Sequence, residues 1–489
     1  MRWVCACNSR TEVIKSQVFN GRALFGGSLW LVLASGLANL GLLLFNLAMI
    51  RVYGFGVHGR IVFYLSVISI LRLVMDAGIG SMMTKEIGNK IRPIKSVLKS
   101  GLGWTLLFSF PVIALIAFDP GLFVGPDRAE FGFFSLWFFA MSVENIAASV
   151  FNGLQAMHLT FFSCLMIEGT KFSLVGYLWF VRPDIHQFIL VANLGIFIAA
   201  LFITILLVSS VWNIPSVLEK RPPDPSAFLL SAVVLWVPTA AAAIFPQAMT
   251  ILIKFGLSES QVSYYTAIAS WSLIGAVILN PAANALFAWT TRNNQLSTSS
   301  HFEGQVGTMT QYFRWTGIIS MGCSLTLLAA SEFILKLYGG EVLNLWRVFV
   351  ILVLAQFADY PRFFTVPYLS GGNHPLATVG IEIGRFILSL VASEGAILAG
   401  FGLIGIAWAI LGVQFLCGVA RIFHIRKWFS PPLFPLFLRN LTAVGIAVWA
   451  TFARIPNSIE IPLLVILFMV FSGVRVADFK GVFRTVGRL

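Results

Sequence analysis

Apolar residues run along this chain in long stretches, broken by short polar segments. A helix that crosses a membrane needs about 20 apolar residues at a rise of about 1.5 Å each. Stretches of that kind occupy 24–50, 60–83, 97–118, 131–153, 159–181, 187–212, 227–253, 262–290, 314–337, 345–370, 376–399, 402–423, 433–453 and 459–477. Strict alternation over about ten residues, the mark of a membrane barrel strand, is missing from these uninterrupted runs. In lipid every backbone N–H and C=O must find an internal partner, so the runs read as helices. The pattern predicts an all-α polytopic membrane protein of about 14 transmembrane helices. The longest connections, around 84–96 and 291–313, leave no room for an extramembrane domain.

Composition agrees: of 489 residues 58% are hydrophobic and 11% charged. A soluble domain could not keep a polar shell with that balance. The net charge of +13 reads as topology, because Lys and Arg collect in cytoplasmic loops. Lys85, Lys90, Arg92, Lys95 and Lys99, then Lys220 and Arg221, then Arg426, Lys427 and Arg439 all fall on one side, with Arg475, Lys480, Arg484 and Arg488 in the tail. The other side carries Asp119, Asp127 and Glu130. The bias predicts an N-in, C-in chain, with 1–23 a cytoplasmic segment and 478–489 a cytoplasmic tail. The first apolar stretch is too long for a signal peptide and is read as a retained helix. No basic soluble module is present to bind nucleic acid. Cys5 and Cys7 have no neighbouring ligands, and Cys164, Cys323 and Cys417 lie in apolar stretches, so neither a metal site nor a disulfide framework is expected. No Walker A loop occurs, so the chain hydrolyses no ATP.

The chain also repeats itself. Ile167-Glu168-Gly169-Thr170-Lys171-Phe172 and Ile381-Glu382-Ile383-Gly384-Arg385-Phe386 share the pattern Ile-Glu-x-x-basic-Phe at a separation of 214 residues. His158 and His374 precede them at nearly the same spacing, and Glu144 and Asp359 stand 215 apart. A duplication with this register predicts two six-helix halves in parallel orientation. They are an N-lobe over 24–212 and a C-lobe over 227–423, followed by two further helices over 433–477.

Ionisable residues at membrane depth are costly and stand as functional candidates. Glu168 lies about ten residues into its helix, about 15 Å deep. Spacings of three or four place Arg72 with Asp76, Glu168 with Lys171, Asp359 with Arg362, and Glu382 with Arg385 on common helix faces. Glu144 has no partner nearby in sequence and is a candidate to titrate. Two readings are open. Either these groups line a hydrated central cavity, with Arg72, Lys171, Arg362 and Arg385 holding an anion and Asp76, Glu144, Glu168, Asp359 and Glu382 exchanging protons or sodium, or each pair neutralises itself and pins helix packing. Deep acids at least match deep cations in number. Pro238, Pro246 and Pro281 interrupt helical patterns and are candidate hinges, with ordinary tilt adjustment as the other reading, and Pro361 and Pro367 follow in the tenth stretch.

One stretch carries a resemblance. It runs Asn46, Arg51-Val-Tyr53-Gly54, His58-Gly59, Ser66, Asp76-Ala-Gly78-Ile-Gly80 and Lys85-Glu86-Ile87. It is similar to the N-terminal signature of polysaccharide-exporting (O-antigen) flippases, a branch of the multidrug/oligosaccharidyl-lipid/polysaccharide superfamily with the MATE-like fold. His58 and Tyr53 replace the family's usual aromatic and leucine. Leu257-Ser258-Glu259-Ser260-Gln261-Val262-Ser263-Tyr264-Tyr265 resembles the same turn in the second half.

The resemblance implies two lobes in a V that rock in alternating access around a central cavity. It implies that the cargo is an undecaprenyl-pyrophosphate-linked oligosaccharide, whose glycan cannot cross about 30 Å of hydrocarbon unaided while its lipid tail stays in the bilayer. Arg72, Lys171, Arg362 and Arg385 would then meet the pyrophosphate, and the deep acids would serve in coupling or in hydrogen bonds to sugar. No cofactor is expected beyond a coupling proton or sodium ion. The expected partners are the lipid-linked oligosaccharide, membrane lipid and the glycan polymerase or ligase machinery, around a monomeric transporter rather than an enzyme. An ion-coupled multidrug or cation antiporter of the same superfamily is the nearest alternative. A membrane glycan polymerase or ligase is a more distant one, because its catalytic loop has no room here.

Overall fold

The computed structural model describes residues 21–76, 78–88, 94–118, 128–154, 156–212, 225–293, 302–371, 376–425, 433–453 and 457–472. Most of segment 1–23, the tail 478–489, Cys5, Cys7, His374 and most of the loop cations named above lie outside the described residues. Helices follow in the order α1 (Gly21–Asp76), α2 (Ile79–Gly88), α3 (Ile94–Phe118), α4 (Arg128–Gly153), α5 (Met157–Val181), α6 (Ile185–Trp212), α7 (Pro225–Gly256), α8 (Glu259–Ser272) and α9 (Ile274–Asn293). The second half continues with α10 (Phe302–Ala329), α11 (Ser331–Tyr338), α12 (Gly340–Leu343), α13 (Trp346–Ala358), α14 (Arg362–Gly371), α15 (Leu376–Leu398), α16 (Gly402–Ile425), α17 (Leu433–Phe452) and α18 (Asn457–Ser472). No strand occurs among the described residues.

Among the described residues six helices are long and apolar enough to cross a membrane, and up to eight spans result if each of two bent pairs counts as one. The first of the six holds a break. At 56 residues α1 would reach about 84 Å if straight, and Gly54 (φ 79°) interrupts it with a backbone that an L side chain rarely adopts. Segments 21–53 and 55–76 are therefore two helices meeting at a turn. The expected second span over 60–83 also ends early, at Asp76. The Asp76 carboxylate accepts from the Gly80 backbone N–H at 3.1 Å and so caps the start of α2. The expected span 262–290 is bent by 55° between α8 and α9, and the expected span 314–337 is bent by 61° between α10 and α11. The tenth apolar stretch divides into α13 and α14 around Asp359, Tyr360 and Pro361. Proline lacks the N–H that would continue the ladder, and the freed Pro361 carbonyl starts the next helix by accepting from Thr365 at 3.0 Å.

Packing in the two halves of the chain follows matching pairs. α1 packs on α5 and α4 on α6, while α7 packs on α15 and α13 on α16. Aromatic and branched side chains fill the interior: Phe45, Trp137, Leu178 and Phe188 in the first half, Phe313, Phe349, Phe364 and Phe437 in the second. Ile50 and Val62 of α1 join the second-half core. Large apolar side chains such as Phe180, Leu190, Phe255, Leu398 and Trp449 face outward, the inverse of a soluble protein and the surface that lipid covers.

Candidate functional site

Where the two halves face each other they enclose a cavity of about 750 Å³. Neutral polar side chains line both walls: Asn39, Asn46, Ser66 and Ser69 from α1 oppose Gln247, Asn280, Asn284 and Gln356. Aromatic faces lie among them, from Phe45, Trp137, Phe245, Tyr265, Phe287 and Phe363. Amides and hydroxyls offer hydrogen bonds, and rings offer stacking surface.

The halves touch each other on two sides of the cavity-lining part of segment 55–76. At the end near Gly54, the segment 55–76 runs against the start of α8 so closely that a Cβ on Gly59 would stand 2.8 Å from the Glu259 carbonyl carbon. His58 is fully buried there. Its Nε2 lies 3.2 Å from Asn46 Oδ1 and its Nδ1 2.7 Å from Ser263 Oγ. Because the amide oxygen can only accept, the proton sits on Nε2 and Nδ1 accepts from the Ser263 hydroxyl. Asn46 passes the chain on, donating to Ser270 Oγ at 3.4 Å. Around this seam Arg51 donates to the Leu337 carbonyl at 2.7 Å, Phe55 packs on Tyr264 with ring centroids 4.6 Å apart, and Tyr264 donates to Glu341. Glu259 pairs with Lys254 and lies 3.8 Å from Arg60. On the other side fewer contacts join the halves among the described residues. There Trp236 Nε1 donates to the Leu73 carbonyl at 2.9 Å, and Phe287 packs on the Ile79 and Met83 cluster.

The charged residues singled out in the sequence separate into three groups. Lys171, Arg362, Arg385 and Asp359 line the cavity. Glu168 lies behind the wall at 2.6 Å from Lys171 Nζ, and Glu382 is buried beside Arg385 at 3.3 Å. The expected pair of Asp359 and Arg362 forms at 3.3 Å. Arg72, Asp76 and Glu144 stand away from the cavity lining. Asp76 accepts from Asn145 Nδ2 at 2.7 Å and caps α2, and no ion pair joins it to Arg72 among the described residues. Glu144 is half-buried within electrostatic reach of Glu168. Of the prolines, Pro246 and Pro367 line the cavity. α7 runs unbroken through Pro238 and Pro246, as α9 does through Pro281, and the bends fall at Leu273 and Ala330 instead.

Two residues at the site carried no signal in the sequence reading. Arg421 on α16 is 2% exposed and lies among Asp359 (2%), Glu382 (0%) and Arg385 (1%). Its NH1 meets Asp359 Oδ1 at 2.5 Å, and its Nε and NH2 meet Glu382 Oε1 at 3.1 and 2.6 Å. Gln414, one and a half to two turns earlier on the same helix, donates to Asp359 Oδ1 at 3.0 Å and accepts from Arg385 NH1 at 3.2 Å when its amide faces the matching partners. Neither had a partner at helical spacing in its own stretch. The signal available was a lone arginine inside an apolar helix. No group of three or more His, Cys, Asp or Glu suited to a metal ion occurs among the described residues.

No protein-family model matches the chain, and no curated protein matches its sequence. Solved structures do match it. A crystal structure of a MATE protein in its straight conformation superimposes with a TM-score of 0.65 at 11% identity, over 86% of this chain and 96% of that one. A MOP-superfamily transporter from Pyrococcus furiosus, for which reversed polarity of the binding pocket suggests a different function, gives 0.60 at 13% identity over 86% and 96%. A mutant of the Vibrio cholerae MATE transporter VcmN gives 0.63 at 14% identity over 84% and 98%. Likeness at this identity and over almost the whole of each neighbour establishes the architecture: this all-helical membrane chain has the MATE-like fold.

Proposed function

We propose that the chain is a membrane transporter that flips a lipid-linked oligosaccharide, carried on undecaprenyl pyrophosphate, from the cytoplasmic to the outer leaflet by alternating access. Fourteen spans serve it: two six-helix lobes over 24–212 and 227–423 and two further helices over 433–477. The chain sits N-in and C-in in a bacterial inner membrane. The carrying observation is the charge of the cavity wall, where Lys171, Arg362 and Arg385 face Asp359 as the one acid among the described lining residues, with Glu168 and Glu382 held behind it. A wall of that sign favours an anionic headgroup over a cationic drug. The amides and aromatic rings beside it suit sugar hydroxyls and sugar faces. A polar cavity between the two halves suits a cargo whose glycan must avoid the hydrocarbon.

The experiment is to delete the gene and determine, by mass spectrometry on each membrane face, where lipid-linked saccharides accumulate. Complete units held on the cytoplasmic face support flipping and identify the glycan. Full export by a Lys171→Gln, Arg362→Gln, Arg385→Gln triple variant refutes the assigned role of the cations. Asp359 on the wall and the unpaired Glu168 Oε2 behind it support a second reading, an ion-coupled antiporter for cations. It predicts an unchanged saccharide profile and loss of cationic dye efflux on deletion.

A further inference from the structure

Three arginines and two acids share the second-half side of the cavity: Arg362, Arg385 and Arg421 with Asp359 and Glu382. One positive charge is left over in a largely buried cluster. An excess buried charge is costly unless a counter-ion arrives. Lys171, the cation on the opposite wall, is already matched by Glu168 at 2.6 Å. The hydrogen bonds show where the excess resides. Arg421 takes Glu382 Oε1 and Asp359 Oδ1, and Gln414 joins it on Asp359 Oδ1 and satisfies Arg385 NH1. Arg385 is left 3.6 Å from Asp359 Oδ2 and 3.3 Å from Glu382 Oε2, and its Nε and NH2 make no hydrogen bond. Arg362 stands in front of it with its side chain 21% exposed.

We infer that Arg421, which does not line the cavity, is a positioning residue. By holding Glu382 and Asp359 it keeps Arg385 available, so that Arg362 and Arg385 together form a pyrophosphate subsite built by the second half of the chain alone. The inference rests on the anionic-cargo reading above. A diphosphate entering the cavity meets Arg362 first; the Nε and NH2 of Arg385 that lack a hydrogen bond are buried behind it, and a local shift of the cluster brings them to the diphosphate in charge-assisted hydrogen bonds. Without Arg421 the two acids turn to Arg385 and Arg362, and the surplus of positive charge disappears.

The test titrates inorganic pyrophosphate into the purified full-length chain in detergent micelles, with thermal unfolding followed in parallel. Arg421→Gln is expected to weaken binding at least about tenfold, the equivalent of about 1.4 kcal/mol. Arg421→Gln with Glu382→Gln removes the competing acid and restores the net charge, so binding returns to within about threefold of wild type. A residue that merely holds the fold predicts no such rescue. Wild-type affinity in Arg421→Gln overturns the proposal, and so does a folded double variant that binds no better than the single one. If Arg421→Gln does not fold, the folded double variant decides: binding more than about threefold weaker than wild type overturns the proposal. Absence of pyrophosphate binding by the wild type also overturns it. Translocation of a lipid-linked saccharide in proteoliposomes is scored separately. Binding with the expected variant pattern but no translocation sinks the flippase reading and leaves the subsite standing.

Discussion

Substituting Gly59 by alanine tests whether the seam between 55–76 and α8 is a closed gate. The added methyl would stand 2.8 Å from the Glu259 carbonyl carbon, with further Glu259 backbone atoms around it. Carbon atoms pack at about 3.5–4.0 Å, so the two segments must separate by about 1 Å at that point. Backbone on the far side cannot swing away as a flexible side chain would. Overpacking of this kind costs about 1–3 kcal/mol. Borne by the closed state alone, it shifts the closed-to-open equilibrium about 5- to 150-fold. The readout is a cysteine pair, Phe55→Cys with Tyr264→Cys, across rings now 4.6 Å apart, in a background lacking the five native cysteines. Gly59→Ala is expected to slow disulfide formation between them. It is also expected to speed labelling of Ser66→Cys inside the cavity by a membrane-impermeant thiol reagent. Unchanged rates of both reactions in folded Gly59→Ala protein would refute the close approach as a gate.

Three further outcomes follow from the same geometry. Trp236→Phe keeps an aromatic ring but loses the hydrogen bond to the Leu73 carbonyl, weakening the contact between the halves there by about 1 kcal/mol; faster labelling of a cavity cysteine from that face alone is the expected result. Lys171→Gln strands Glu168 in a largely buried pair and should destabilise by about 3 kcal/mol, whereas Lys171→Gln with Glu168→Gln recovers most of the loss, as read from thermal unfolding in detergent; equal loss in both variants argues against the pair. Asn145→Ala removes a 2.7 Å hydrogen bond to the partly buried Asp76 and should lower stability by about 1–3 kcal/mol. Its pyrophosphate affinity should not change, because neither residue lines the cavity.

Apolar run length is a local property, so the sequence was enough to place most helices. The stretches 131–153, 159–181, 187–212, 376–399, 402–423 and 433–453 each coincide with one helix to within a few residues. The breaks were less legible. Gly54 and Pro361 announce themselves chemically, but the bends at Leu273 and Ala330 come at residues with no helix-breaking character. Ion pairs at a spacing of three were legible because such residues share a helix face. Glu168–Lys171 and Glu382–Arg385 formed within one helix, while Asp359–Arg362 formed across the turn between α13 and α14. The spacing of Arg72 and Asp76 was equally suitable, yet Asp76 spends its carboxylate on α2 and Asn145. Spacing permits a contact, and competition from other helices decides it.

The sequence by itself determined the solvent, the helices and the internal repeat of charged motifs, because hydropathy and periodicity are written in consecutive residues. Only the tertiary structure decided which charges share a cavity. Arg421 lies 62 residues from Asp359 and 39 from Glu382, and His58 lies 205 from Ser263. No periodicity connects positions so far apart. They meet because α13, α15 and α16 bury their polar faces on one another, and because α1 docks on α8, where a buried donor must find an acceptor on whichever helix packs against it.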